Sequence, residues 1–188
     1  MQGYRISSQT YGVRFAGARE LSRAAKFSYQ LSYARQSDYH RNPGDYAADY
    51  WLADATLDVR GWKLNGGYEI LSAGSAALTS FQTPLGTNFK FQGWADKFLT
   101  TPANGVRDLY VGGGRGWKQI GLFSTVAFAV TWHRFESDRL DQHYGDEWDV
   151  LLSGKLAKTA LSIRYADYDA GTMATDTRKL WLQLDWAY

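Results

Sequence analysis

The stretch Arg178-Lys-Leu-Trp-Leu-Gln-Leu-Asp-Trp-Ala-Tyr188 admits little but a β-strand. Leu180, Leu182, Leu184, Trp186 and Tyr188 share one side at a period of two. Lys179, Gln183, Asp185 and Ala187 share the other, with Trp181 the bulky exception. The same rhythm recurs upstream and predicts nine strands in all. Near Tyr4–Ala16, Tyr11, Val13 and Phe15 oppose Thr10, Gly12 and Arg14; near Lys26–Gln36, Phe27, Tyr29, Leu31 and Tyr33 oppose Ser28, Gln30, Ser32 and Ala34. Strands near Tyr50–Val59 and Trp62–Leu71 set Trp51, Leu57, Trp62 and Leu64 against Asp54, Asp58, Lys63 and Glu69. A short, glycine-rich strand is expected near Val106–Gly113, and longer ones near Leu122–Phe135, Glu147–Leu156 and Ala160–Tyr168.

The connections alternate in length. Short ones fall around Gly17–Ala25, Arg60-Gly61, Gly114–Ile120 and Ala157–Thr159; long polar ones fall around Ser37–Asp49, Ser72–Asn104, Ser137–Asp146 and Ala170–Asp176. Consecutive strands with alternating short and long links predict an all-β, antiparallel, up-and-down barrel. Alternation alone does not say whether the apolar side faces a dry core or lipid. Three features favour lipid. Several strands approach the ~9–11 residues of a bilayer span. Trp and Tyr stand at the ends of the apolar faces (Tyr33, Trp51, Trp62, Trp132, Trp148, Tyr165, Trp186, Tyr188), as interfacial anchors do. The opposite face is small or charged, as a wet lumen requires. A transmembrane β-barrel with short periplasmic turns and long extracellular loops is therefore expected, in the outer membrane of a Gram-negative bacterium.

Composition agrees where it speaks. The chain holds 8 Trp, 13 Tyr and 9 Phe among 188 residues, and its mean hydropathy of −0.42 suits strands with one polar face. No run reaches the ~18 apolar residues of a transmembrane helix. Without cysteine there is neither a disulfide framework nor a thiolate metal site, and a net charge of +2 gives no nucleic-acid footprint. Met1-Gln-Gly-Tyr-Arg-Ile-Ser lacks the apolar stretch of a signal peptide. The expectation is that a leader has been removed or that residues 1–188 are a piece of something longer.

By alternation the polar face carries Arg14, Lys26, Arg60, Lys63, Lys155, Arg164 and Lys179 together with Asp54, Asp58, Glu69, Asp108, Glu147, Asp149 and Asp185. Arg14, Arg60, Lys63, Lys155, Arg164, Asp54, Asp58 and Glu69 are the candidate pore-lining residues. Their basic members could guide carboxylate sugars, since the Arg fork matches a carboxylate. Cross-strand ion pairing within the wall, at roughly 0.2–1 kcal/mol each, is the plainer reading and the preferred one. Segment 72–104 is too long for an idle link, and Phe81, Phe89, Phe91, Trp94 and Phe98 need burial. It is expected to fold into the lumen, with Phe91, Trp94, Asp96 and Lys97 as constriction residues, rather than to cap the rim.

Other motifs point to no chemistry. His133 has no Gly-x-Ser-x-Gly partner, so no catalytic residue is assigned. Asp138, Asp141, His143, Asp146 and Glu147 read as a solvated acidic loop before they read as a Ca²⁺ site. Gly112-Gly-Gly-Arg-Gly116 lacks the Gly-Lys-[Ser/Thr] ending of a phosphate loop and reads as a turn. No metal and no cofactor is expected.

Within Ser80–Tyr110, the core Phe91-Gln-Gly-Trp-Ala-Asp-Lys-Phe-Leu99, followed by Thr101-Pro102, Gly105, Arg107-Asp108 and Tyr110, resembles the signature segment of the alginate-export porin family. Trp132-His-Arg-Phe135 is similar to the family as well. The resemblance implies an outer-membrane porin that passes alginate or another acidic oligo- or polysaccharide. It also implies a C-terminal strand presented to the barrel-assembly machinery. The nine strands read here are half the family's complement, and with a periplasmic C-terminus an odd count starts strand one outside. The chain is thus expected to be the C-terminal half of such a barrel, or a reduced relative. The alternatives are a truncated or structural barrel module with no pore of its own, and a soluble saccharide-binding β-barrel.

Overall fold

The computed structural model describes residues 7–75, 79–84 and 92–186. Among them are nine strands and no helix: β1 (Ser8–Ser22), β2 (Ala25–Asp38), β3 (Ala47–Val59), β4 (Trp62–Leu71), β5 (Val106–Ile120), β6 (Phe123–Glu136), β7 (His143–Leu156), β8 (Thr159–Ala170) and β9 (Thr177–Trp186). Each pairs antiparallel with the next in a single sheet ordered β1 to β9. The sheet is not closed, and β1 and β9 have one neighbour each among the described residues.

Four hairpins turn through two residues, closing on the pairs Ser22↔Ala25, Val59↔Trp62, Ile120↔Phe123 and Leu156↔Thr159. Arg60 and Gly61 both take positive φ (53° and 82°), as a type I′ turn demands. These tight turns lie at one end of the sheet and fix the register within each hairpin. The longer links lie at the other end.

Two of the sequence expectations need correction. The strand placed near Tyr4–Ala16 runs to Ser22, so Gly17–Ser22 is strand and not connection; Tyr4 itself lies outside the described residues. The fifth strand is 15 residues long, not short, and Gly112–Gly116 lies inside it instead of forming a turn. The reason is crowding. A Cβ at Gly112 would stand 2.7 Å from Thr131 Oγ1 and 2.8 Å from Asn65 Oδ1. Glycine serves there to let neighbouring strands' side chains cross the wall.

The two faces of the sheet differ as the alternation anticipates. Val13, Leu31, Trp51, Leu64, Leu152, Leu182 and Trp186 are among the apolar side chains left bare; Leu182 is 74% exposed. The opposite face is covered by part of segment 72–104. Phe98 packs against Phe135, Tyr144 and Tyr168, with ring centroids 4.7, 6.0 and 6.4 Å away. Tyr46, Ala48, Leu71, Phe81, Ala95, Val106 and Ala166 belong to the same small core. Sheet and covering segment thus form a polar wall with an apolar clasp at its long-loop end.

Candidate functional site

The covering segment is fixed by its backbone. Gln92 and Gly93 turn through positive φ (51° and 75°), which aims the next two amides at β7. Glu147 Oε1 accepts the N–H groups of Trp94 (2.5 Å) and Ala95 (2.6 Å). A Cβ at Gly93 would lie 2.5 Å from Glu147 Oε2, so only glycine fits. Gln92 Nε2 donates to Glu69 Oε2 at 2.6 Å, on β4. Two further ties reach β9: Lys179 Nζ to Asp96 Oδ2 at 2.9 Å, and Lys97 Nζ to Thr177 Oγ1 at 2.6 Å. Lys97 also lies 5.4 Å from the centre of the Tyr168 ring. Three strands thus hold one short segment through charged or charge-assisted bonds.

Between this segment and the polar face of β1–β7 lies a cavity of about 470 Å³. The hairpin register brings its polar side chains together. Glu69 stands opposite Asp108, Tyr110 opposite His133, and Thr131 opposite Asp149. Tyr50 donates its hydroxyl to Glu69 Oε1 (2.6 Å), and Tyr110 donates to Asp54 Oδ2 (2.7 Å). His133 Nδ1 lies 3.0 Å from both oxygens of Asp108, and its Nε2 lies 3.6 Å from Asp149 Oδ2. Glu69, Asp108, Glu147 and Asp149 are all buried. The imidazole is oriented by its hydrogen bond to Asp108 and lies beside Asp149.

The candidate residues separate into groups. Arg14, Asp54, Glu69 and Trp94 line the cavity. Asp96 and Lys97 belong to the covering segment, tied to β9 and not to the cavity. Phe91 lies outside the described residues. Lys63, opposite Asp58, and Lys155 stand at the tight-turn end, away from the cavity. Asp58 Oδ1 accepts the Gly61 N–H at 3.1 Å and so serves the turn. Arg60 is in that turn and does not belong to the wall. Arg164 Nη1 donates to Gln183 Oε1 at 3.0 Å, on the covered face of β8 and β9.

Cross-strand ion pairs join Arg35 to Asp49 at 3.3 Å, Arg107 to Glu136 at 3.4 Å and Arg178 to Asp167 at 3.1 Å. At the tight-turn end Lys26 meets Glu20 at 3.6 Å, and both are exposed. The loop acids are engaged locally: Asp138 Oδ2 accepts the Ala73 N–H at 2.9 Å, and Asp141 pairs with Arg107. The wall sorts its charge along the strands, with lysines near the turns and buried carboxylates about six to eight residues further up, where the covering segment lies.

Gln92, Gly93, Glu147, Asp149, Asp108, Tyr50 and Tyr110 complete a site that strand-by-strand reading does not assemble. Glu69 meets Asp108 and His133 meets Glu147 across pairings that no two-residue turn sets, so counting from the turns does not align them. Comparison with protein-family models, with curated proteins and with solved structures found no match.

Proposed function

We propose that this sheet is part of the wall of an outer-membrane diffusion pore in a Gram-negative bacterium, with segment 92–99 as its constriction. The observation that carries the reading is the bare apolar face. Strands of 10–15 residues present Leu, Val, Trp and Tyr to the exterior, while the polar face is turned toward the covering segment. A soluble barrel would bury that apolar face. Eight residues separate Trp51 from Val59, the partner of Trp62, which at ~3.3 Å per residue is about 26 Å along the strand. Trp51 and Trp62 so stand at the two edges of an apolar band suited to a bilayer. At the lower edge Arg115 lies over the Trp62 and Trp117 rings, 4.8 and 5.4 Å from their centres, an amphipathic grouping suited to headgroups.

The solutes that fit the polar face are hydrated ones, saccharides included, and the family resemblance supports a sugar conduit. An acidic saccharide finds its supporting charges at the tight-turn end, in Lys63, Lys155 and their neighbours. The open sheet favours a second reading in parallel: a structural module whose barrel is completed by further strands, with assembly directed through β9. Single-tryptophan variants in vesicles of brominated phospholipid test the membrane placement. Trp51, Trp62 and Trp186 should be strongly quenched by bromines on the acyl chains, and Trp94 should not. Unquenched fluorescence from the first three would overturn the reading.

A further inference from the structure

On the bare face of the sheet, the arginines at the long-loop end have acids beside them: Arg35 meets Asp49, Arg107 and Arg134 meet Glu136, and Arg178 meets Asp167. Arg115 differs. Alternation along β5 sets it in file with Leu109 and Val111, on the same apolar face. Its guanidinium lies over the Trp62 and Trp117 rings, and its Nε is buried without a hydrogen-bond partner. No carboxylate among the described residues pairs with it; Asp58, the acid of the adjoining turn, accepts the Gly61 N–H instead. Two ring faces hold the guanidinium plane and leave its fork of N–H groups for an oxyanion, which a phosphate matches. Beside this cation the face is hollow. Trp117 pairs with Val126, and Val126 with Gly154. Gly154 adds no side chain to the apolar layer, and the Phe123 ring lies over it, so close that a Cβ would stand 2.9 Å from the ring. The result is a groove of about 530 Å³, with Val126, Leu152, Ile163, Leu182 and Leu184 along it.

We propose that this face binds one anionic phospholipid, with its phosphodiester on Arg115 and an acyl chain in the groove floored by Gly154. The proposal rests on the membrane placement above, and it names the lipid. A cation held between two interfacial rings, next to an apolar channel, fits an amphiphile with an anionic head. A net negative headgroup is preferred to a zwitterionic one, because no carboxylate among the described residues stands at Arg115 to take a lipid ammonium. From β3 to β9 the tight-turn end carries Arg60, Lys63, Lys118, Lys155 and Lys158 against Asp58 and Asp185, which draws the same sign of headgroup.

Native mass spectrometry of the full chain, refolded into mixed micelles with equal phosphatidylglycerol and phosphatidylcholine of the same acyl chains, counts the lipid retained. Phosphatidylglycerol should be retained at least about tenfold more, because the choline cation weakens the charge-assisted contact. Arg115→Gln should remove the preference. Arg19→Gln, on the same face of β1 but paired with Phe27, should leave it intact. Glycerophosphate, which has the head and no chain, should not displace the lipid. Three results would overturn the proposal: equal retention of the two lipids, an equal loss of preference in both variants (diffuse attraction), or displacement by glycerophosphate (a bare anion site). If Arg115→Gln does not fold, the two lipids and glycerophosphate on the unmodified chain still decide. Brominated-lipid quenching of Trp51 and Trp186 reports on the membrane placement separately. Quenching without a phosphatidylglycerol preference would defeat the lipid site alone, and absence of quenching would defeat the placement and the site with it.

Discussion

Replacing Glu147 with alanine should release the covering segment. In the structure this one carboxylate oxygen holds two successive amides, Trp94 and Ala95, at 2.5 and 2.6 Å, and the residue is wholly buried. Hydrogen bonds to a charged group contribute ~1.5–3 kcal/mol each, so the lower figure for both gives about 3 kcal/mol. That corresponds to an increase on the order of a hundredfold in the opening equilibrium of residues 92–99. Glu147→Gln retains an acceptor oxygen and loses only the charge, so its amides should lose protection by about tenfold. Hydrogen exchange at Trp94 and Ala95, followed by NMR in detergent with β5 amides as the control, reads the opening directly. If the two amides in Glu147→Ala exchange no faster than in the unmodified chain, the carboxylate is not what holds the segment.

Three further substitutions probe the wall. Leu182→Arg, midway along β9 on the bare face, should destabilise the chain by about 2–4 kcal/mol in urea titrations from vesicles if lipid covers it, against ~0.5 kcal/mol or less on a water-facing surface. Tyr168→Phe removes a buried hydroxyl that donates to Tyr144 O at 2.7 Å, with Met173 O at 3.1 Å, and should cost about 1 kcal/mol, seen as a drop of about 2–4 °C in the thermal midpoint. Gly112→Val should cost ~1–3 kcal/mol by overpacking against Thr131 and Asn65; a neutral result in the same thermal assay would mean that the strands do not cross there as closely as described.

The fold was legible wherever one face is apolar and the other is not. β9 follows from alternation alone, and β3 and β4 also from the Arg60-Gly61 turn, because a period of two and a two-residue loop leave one register for that hairpin. β5 was misread at its end because glycine carries no pattern: Gly112, Gly113, Gly114 and Gly116 look like a turn until the residues that crowd them are known. The site was less legible, for a different reason. Glu69, Asp108, His133, Glu147 and Asp149 come from four strands, and only the summed register of three pairings brings them side by side. Charge counting treated the polar face as evenly mixed. The structure sorts it along the strands, which no single strand's sequence reveals. The hold of Glu147 on the amides of residues 94 and 95 is a backbone interaction, so side-chain patterning has no access to it.

The parity of the strands limits how this sheet can close. Eight antiparallel steps separate β1 from β9, so the two edge strands run in the same direction. The sheet therefore cannot close on itself by antiparallel pairing. Two copies inserted the same way up would set β9 of one beside β1 of the other in parallel, again without an antiparallel ladder. Antiparallel completion calls for an odd number of additional strands whose outer members oppose both edges. Co-refolding with a polypeptide that supplies an odd number of alternating strands should give a species whose mobility on unheated gels differs from that of the boiled sample, and should protect the outward amides of β1 and β9 together. The chain refolded alone should leave those amides exchanging freely while β5, in the middle of the sheet, stays protected. A compact, heat-sensitive species formed by the chain alone, with both edges protected, would mean that β1 and β9 pair in parallel, and the requirement for an odd complement would fall.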